Sequence, residues 1–174
     1  ADPRNLFRNS RVCMLGAAGS ARSVLYALSR LGVKQVYIYN RTQENAEQLI
    51  YKAEQSYGFK SALSISQTEL NRTLESCRIV INTTSVGMHP NIDASPCSGE
   101  APFSEQHFVY DLIYNPIKTR LLRMAKDKGA AIQNGLDMLI YQGLQSLRIW
   151  TGLDLQLSAD QLKECQTLME NELE

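Results

Sequence analysis

Gly16-Ala17-Ala18-Gly19-Ser20-Ala21-Arg22 follows the apolar run Val12-Cys13-Met14-Leu15 and precedes a helical pattern of Val24, Leu25, Leu28 and Leu31. Small residues between a strand and a helix leave the first helical amides free to bind an anion. A turn of this kind opening a βαβ unit is the usual seat of a dinucleotide diphosphate. The spacing is Gly16-x-Ala18-x-x-Ala21, so alanine stands at the middle position of the glycine fingerprint, where its methyl group projects toward the diphosphate. Taken alone, the stretch also reads as a turn whose small residues serve packing only. Its meaning therefore depends on the residues that close the other strands.

The second apolar run ends in Asn40-Arg41-Thr42. A dinucleotide site for NAD places Asp or Glu here to bond the ribose hydroxyls, whereas an extra phosphate needs a cation. No acid stands at this strand end, and Arg41 with the Thr42 hydroxyl suits a phosphate, which favours NADP over NAD. The alternative is that Arg41 is a solvated loop cation and Thr42 an N-cap, and Thr42 can serve in both ways. Asn82-Thr83-Thr84-Ser85-Val86-Gly87-Met88 gathers hydroxyls and amides suited to a diphosphate and ribose, or else forms a polar loop.

Asp111-Leu112-Ile113-Tyr114-Asn115-Pro116 presents the Tyr114 phenol at a strand end, with Asp111 read as a structural acid beneath it. Asn134-Gly135 opens a helix in which Met138, Leu139 and Gln142 are neighbours. Gly135 permits close backbone approach, Met138 reads as core, and Gln142 reads as a buried amide in need of partners. His89 and His107 are loop or strand-edge residues without triad-like spacing, and no Cys/His cluster has metal-ligand spacing.

These residues need a scaffold that brings strand ends to one edge. Strands are expected at Val12 to Leu15, Val33 to Tyr39, Ala62 to Ile65, Arg78 to Asn82, Phe108 to Tyr114 and Ala130 to Gln133. Helices are expected at Ser20 to Leu31, Gln43 to Tyr57, from Gln67, Thr119 to Lys128, Gly135 to Trp150 and Ser158 to Asn171. Thr83 to Gln106 reads as a long loop, of a length that is usually functional. Strands alternating with helices imply a single α/β domain over residues 1–174: a doubly wound, Rossmann-like parallel sheet with helices on both faces and C-terminal helices.

Composition narrows the partners. Lysine plus arginine and aspartate plus glutamate number 18 each, so the formal net charge is zero. No basic stripe suits nucleic acid and no apolar run suits a bilayer. The N-terminus does not read as a signal peptide, and Ala1-Asp2-Pro3 carries no functional weight. Cys13, Cys77, Cys97 and Cys165 lie far apart, Cys13 and Cys77 read as buried free thiols, and reduced thiols favour the cytoplasm.

Five motifs in this order, from about Arg11 to Gly152, resemble the C-terminal, NADP-binding half of the shikimate dehydrogenase and quinate/shikimate dehydrogenase family. They are the Gly16–Arg22 turn, Tyr39-Asn40-Arg41-Thr42, Ile81–Met88, Tyr110–Pro116 and Gly135–Gly143. The resemblance implies reversible hydride transfer between NADPH and the ketone of dehydroshikimate. By matching position, Gly16, Ala17, Ala18, Gly19 and Ser20 would hold the diphosphate, and Asn40, Arg41 and Thr42 the adenosine 2′-phosphate. Thr84, Ser85, Leu112, Gly135 and Met138 would border ribose and nicotinamide. Tyr114 and Gln142 would reach a shikimate- or quinate-class substrate shared with an N-terminal domain. Two positions depart from the family: Ala18 replaces a glycine, and Asn45 stands where many relatives have a basic residue.

In the family, a lysine–aspartate pair that handles the proton belongs to the N-terminal domain, which would precede Arg4. The chain alone is therefore expected to be inactive. Ala18 and Asn45 favour an alternative, a degenerate ligand-sensing module like those of quinate-pathway regulators, whereas Tyr114 and Gln142 favour the enzyme. The last helix carries Leu157, Leu162, Cys165, Leu168 and Met169, which must cover something. With Tyr114, Met138 and Gln142 it is expected to form a partly apolar cleft face that dimerises or leaves the helix loosely packed. The alternative is that the helix folds back onto its own domain.

Overall fold

A computed structural model describes residues 4–173; Ala1-Asp2-Pro3 and Glu174 lie outside the described residues. Six strands form one parallel sheet: β1 (Arg11–Leu15), β2 (Gln35–Tyr39), β3 (Ala62–Ile65), β4 (Ile79–Asn82), β5 (Phe108–Asp111) and β6 (Ala131–Gln133). Their spatial order is β3-β2-β1-β4-β5-β6, so the chain reverses its direction of travel between β1 and β4. That is the switch point at which ligands bind in doubly wound sheets. The doubly wound α/β architecture expected from the sequence is the one observed.

The central strands are apolar on both sides, and alternation sorts them into two cores. Val12 and Met14 of β1 face one core with Val36, Ile38, Ile79 and Ile81, while Cys13 and Leu15 face the other with Val80 and Val109. Helices α2 (Gly19–Leu31) and α3 (Gln43–Tyr57) cover the first face through Leu25, Leu28, Leu49 and Ala53. Helices α4 (Leu70–Ser76) and α5 (Arg120–Asp127) cover the second through Leu70, Leu74, Leu121 and Leu122. Burying both faces is what a parallel sheet requires.

The long loop after β4 serves this second core as well. Cys97, Ala101 and Phe103 are buried there, so packing accounts for much of a segment whose length alone suggests function. His107 closes the loop. Its Nδ1 accepts from the Ser104 amide at 3.0 Å, which puts the ring proton on Nε2, 3.1 Å from the Leu74 carbonyl. It stands at the strand edge, as expected, and is a buried brace between the loop and α4.

Several bounds differ from expectation for local reasons. Helix α1 (Arg4–Phe7) has too little sequence to show periodicity, and a 3-10 turn (Gln67–Glu69), boxed by Ser66 and Glu69, precedes α4. Strand β2 begins at Gln35, because Gly32 ends α2 in a left-handed conformation and Val33 belongs to the link. Strand β5 ends at Asp111 rather than Tyr114, because the Asp111 carboxylate captures the Ile113 amide at 3.1 Å and turns the chain out of the sheet. Helix α6 (Leu136–Thr151) is followed by α7 (Ala159–Leu173), which lies against it.

Candidate cofactor-binding edge

The ladder bonds of the sheet continue past the strand ends and tie the motifs together. The Gly16 amide donates to the Tyr39 carbonyl (2.7 Å), Thr83 to Leu15 (2.8 Å) and Leu112 to Asn82 (3.0 Å), while the Gly135 amide, outside the β5–β6 register, donates to the Ile113 carbonyl (3.0 Å) as a separate tie. The glycine turn, the end of β2, the Asn82–Met88 loop, the Leu112–Tyr114 segment and the start of α6 thus occupy one continuous edge.

At its centre Gly16 has φ +105°, and a Cβ there would stand 2.7 Å from both Thr83 Oγ1 and Thr84 Cγ2. Only glycine lets β1 and the β4 loop approach this closely. Three residues on, the surroundings are the opposite: a Cβ at Gly19 would meet nothing within 4 Å. Ala18 occupies the N-cap of α2 without a side-chain capping bond, and the first turn holds no acidic residue. Ala17 is half-buried, while Ala18, Gly19 and Ser20 are exposed. Uncapped amides beside open space, at the positive end of a helix, fit a diphosphate.

The end of β2 sorts the three residues assigned to the 2′-phosphate. Asn40 donates its side-chain amide to the Thr42 carbonyl at 2.7 Å and so shapes the turn. Arg41 is exposed, with no side-chain partner among the described residues. Thr42 is the N-cap of α3 by position, yet its side chain makes no capping bond, so its hydroxyl is available to a ligand. Asn45 lies exposed on the first turn of α3.

The Asn82–Met88 loop is more structural than its hydroxyl content suggests. Thr83 Oγ1 donates to the Leu15 carbonyl at 2.9 Å. Thr84 Oγ1 donates to Asn82 Oδ1 at 2.7 Å and accepts from the Val86 amide at 3.1 Å. Ser85 is exposed and keeps its hydroxyl for a ligand. Beneath the loop, Asp111 is fully buried and accepts from Asn82 Nδ2 (2.9 Å), the Ile113 amide (3.1 Å) and Thr119 Oγ1 (2.7 Å). Burial pushes its carboxyl above the usual aspartate range, while these three donors pull it back. The reading of Asp111 as a structural acid fits this environment.

On the far side, Gly135 is required by contact with protein: a Cβ there would collide with the Leu112 carbonyl. Leu112 is buried, and Met138 packs against the first core, which supports its reading as a core residue. Tyr114 is exposed. Gln142 is exposed on α6, so the argument that a buried amide needs partners does not apply to it. None of the residues of α7 is fully buried. Gln166 of α7 reaches Asp137 of α6, which also accepts from Gln133. Tyr141, Leu147, Ile149 and Trp150 of α6 remain exposed. Among the described residues no group of His, Cys, Asp or Glu could hold a metal ion, and no helix is long and apolar enough to cross a membrane.

Comparison with known proteins gives one family. The family profile "Shikimate / quinate 5-dehydrogenase" matches residues 3–112, and "Shikimate 5'-dehydrogenase C-terminal domain" matches residues 135–159. A shikimate dehydrogenase (NADP(+)) of Caldicellulosiruptor saccharolyticus is 42% identical over 164 residues, covering 91% of this chain and 57% of that protein. Shikimate 5-dehydrogenase from Thermus thermophilus, solved in complex with NADP(H) and shikimate, is 33% identical, with a TM-score of 0.72 over 90% of this chain and 54% of that one. The Listeria monocytogenes enzyme, solved with shikimate and NAD, is 26% identical with a TM-score of 0.79 over 94% of this chain and 56% of its own. The chain thus spans little more than half the length of these relatives. Its fold, its motifs at the sheet edge and the match over residues 3–112 agree: the chain belongs to the shikimate/quinate dehydrogenase family.

Proposed function

We propose that the chain is the cofactor-binding half of an NADP-dependent shikimate dehydrogenase, which interconverts 3-dehydroshikimate and shikimate in the aromatic amino-acid pathway of the cytoplasm. The observation that carries this reading is the pairing of an uncapped α2 N-terminus with Arg41 at the end of β2, where no acid stands. Amides of Gly19 and Ser20 bind the diphosphate, with Ala17 and Ala18 lining the turn that Gly16 makes possible. Arg41 and Thr42 hold the 2′-phosphate, and Asn40 fixes their turn. Thr84, Ser85, Leu112, Gly135 and Met138 form the wall on the ribose and nicotinamide side. When bound, the nicotinamide supplies or accepts the hydride, and Tyr114 and Gln142 orient a substrate of the shikimate or quinate class.

The family resemblance assigns the proton on the reacting oxygen to a lysine–aspartate pair in an N-terminal domain. The 174-residue chain alone then gives no turnover, and turnover of shikimate with NADP that is abolished by mutating this chain would refute that assignment. The departures at Ala18 and Asn45 favour a second reading, a ligand-sensing module descended from the enzyme; it predicts that adding the N-terminal domain restores binding but no turnover.

Calorimetry with NADP and NAD tests the cofactor site. Arg41→Ala removes a charge-assisted contact of about 1.5–3 kcal/mol, so NADP binding weakens about tenfold or more while NAD binding holds. Asn45→Arg gains affinity for NADP relative to NAD. Equal effects on both dinucleotides would reject the 2′-phosphate assignment.

A further inference from the structure

We infer that Asp111 is a positioning residue, one buried carboxylate oxygen of which sets the spacing between the two loops that line the cofactor edge. The inference rests on the cofactor reading above. Asp111 and Asn82 are register partners on β5 and β4, the last pair before both chains leave the sheet. Oδ1 of Asp111 accepts from Asn82 Nδ2 at 2.9 Å and from the Ile113 amide at 3.1 Å. Asn82 turns its own Oδ1 the other way and accepts from the Thr84 amide at 3.0 Å and the Thr84 hydroxyl at 2.7 Å. One oxygen atom therefore reaches Thr84 and, through its hydroxyl, Val86 on one side. On the other it reaches Ile113, between Leu112 and Tyr114. The Ile113 carbonyl passes the constraint on to Gly135 and the start of α6.

The second oxygen serves something else. Oδ2 accepts from Thr119 Oγ1 at 2.7 Å, and Thr119 caps α5 by accepting from the Leu122 amide at 3.3 Å. Oδ1 serves the ligand edge and Oδ2 anchors a helix. Both Asp111 and Asn82 are fully buried, and all three groups bonded to the carboxylate are neutral donors. A buried carboxylate without a cation is costly, and an apolar pair at this rung would join β4 to β5 without that cost. An apolar pair would not hold Thr84 and Ile113 at a fixed separation.

The split between the oxygens supplies the test. NADP is titrated calorimetrically into the full chain and into Asp111→Ala, Asp111→Asn and Thr119→Val, with urea unfolding of each. Asp111→Ala is expected to weaken NADP binding about tenfold, because two ligand-side donors lose their acceptor. Asp111→Asn keeps one oxygen for those donors and restores binding. Thr119→Val loses stability and binds NADP as the unmodified chain does. Unchanged affinity in Asp111→Ala overturns the inference, as does affinity that follows stability across all three variants. If Asp111→Ala does not fold, Asn82→Asp keeps the acceptor for Thr84 but sets a carboxylate against Oδ1. It is expected to weaken NADP binding, and unmodified affinity there overturns the inference. An unmodified chain that binds no NADP rejects the cofactor reading itself. Amide exchange at Thr84, Val86 and Ile113 then decides the positioning role, which requires faster exchange in Asp111→Ala or Asn82→Asp but not in Thr119→Val; unchanged exchange overturns it.

Discussion

Replacing Gly16 by alanine is a sharp probe of the edge, because two separate costs fall on one methyl group. The backbone at φ +105° is strained for any L side chain, by about 1–3 kcal/mol. The Cβ would also stand 2.7 Å from Thr83 Oγ1 and 2.7 Å from Thr84 Cγ2. Neither neighbour can withdraw freely. Thr83 Oγ1 is buried and donates to Leu15, while the Thr84 hydroxyl is held by Asn82 and Val86. Overpacking of this kind costs about 1–3 kcal/mol. The sum is about 2–6 kcal/mol, and each kcal/mol lowers Tm by about 2–4 °C in a domain of this size, so melting falls by about 4 °C at the least. Gly19→Ala is the matched control. It adds the same methyl group to open space at the start of α2, where it is neutral or stabilising by up to about 1 kcal/mol. Thermal unfolding by circular dichroism and NADP calorimetry read both variants. Gly16→Ala should lose stability, and Gly19→Ala should keep stability but lose NADP affinity, because its methyl group enters the diphosphate opening. Melting of Gly16→Ala within about 1 °C of the unmodified chain, against the several degrees worked out above, would refute the close-approach argument.

Three further outcomes follow from the burial pattern. Asp111 has a folded pKa above the ordinary value of 3.8, so its stability contribution is complete below about pH 4 and is lost as pH rises through the folded value. The stability of the unmodified chain relative to Asp111→Asn should therefore fall from about pH 4 upward in urea titrations, and a gap that widens with pH would contradict this. Burial pushes the Cys77 and Cys97 thiols up to about 11 and raises Cys13 as well, whereas Cys165 is half-buried on α7. Ellman's reagent should label Cys165 first and the other three only on unfolding; fast labelling of Cys13 would count against the core assignment. With no fully buried residue, α7 should exchange its amides ahead of α2, and strong protection from Leu162 to Met169 would show that the helix is covered.

Much of this was legible in the sequence where a residue's surroundings are local. The alternation Val12-Cys13-Met14-Leu15 with apolar residues at every position marks a strand buried on both faces, and β1 is such a strand. The five motifs fall on one edge as the α/β reading requires. What was not legible depends on partners distant in sequence. The Thr84 hydroxyl looked free for a ligand, yet it is held by Asn82 and Val86. Gln142 read as a buried amide beside Met138 and Leu139, yet it lies exposed on α6. Strand β5 stops early because a side-chain carboxylate competes with the ladder for the Ile113 amide, a competition that periodicity does not register. His107 and Cys97 owe their burial to the path of a loop without periodicity.

The ladder bonds that run on past the strand ends have a consequence for how this chain can be altered by insertion and deletion. Gly16, Thr83 and Leu112 are each spaced by a fixed rung from the neighbouring strand. One added residue ahead of any of these three amides would put it out of phase with its acceptor. Substitutions can accumulate along the edge, but its turn lengths cannot drift. The connection at Gly152 to Ser158 bonds to no strand among the described residues, so loop grafts, tags and new termini belong there.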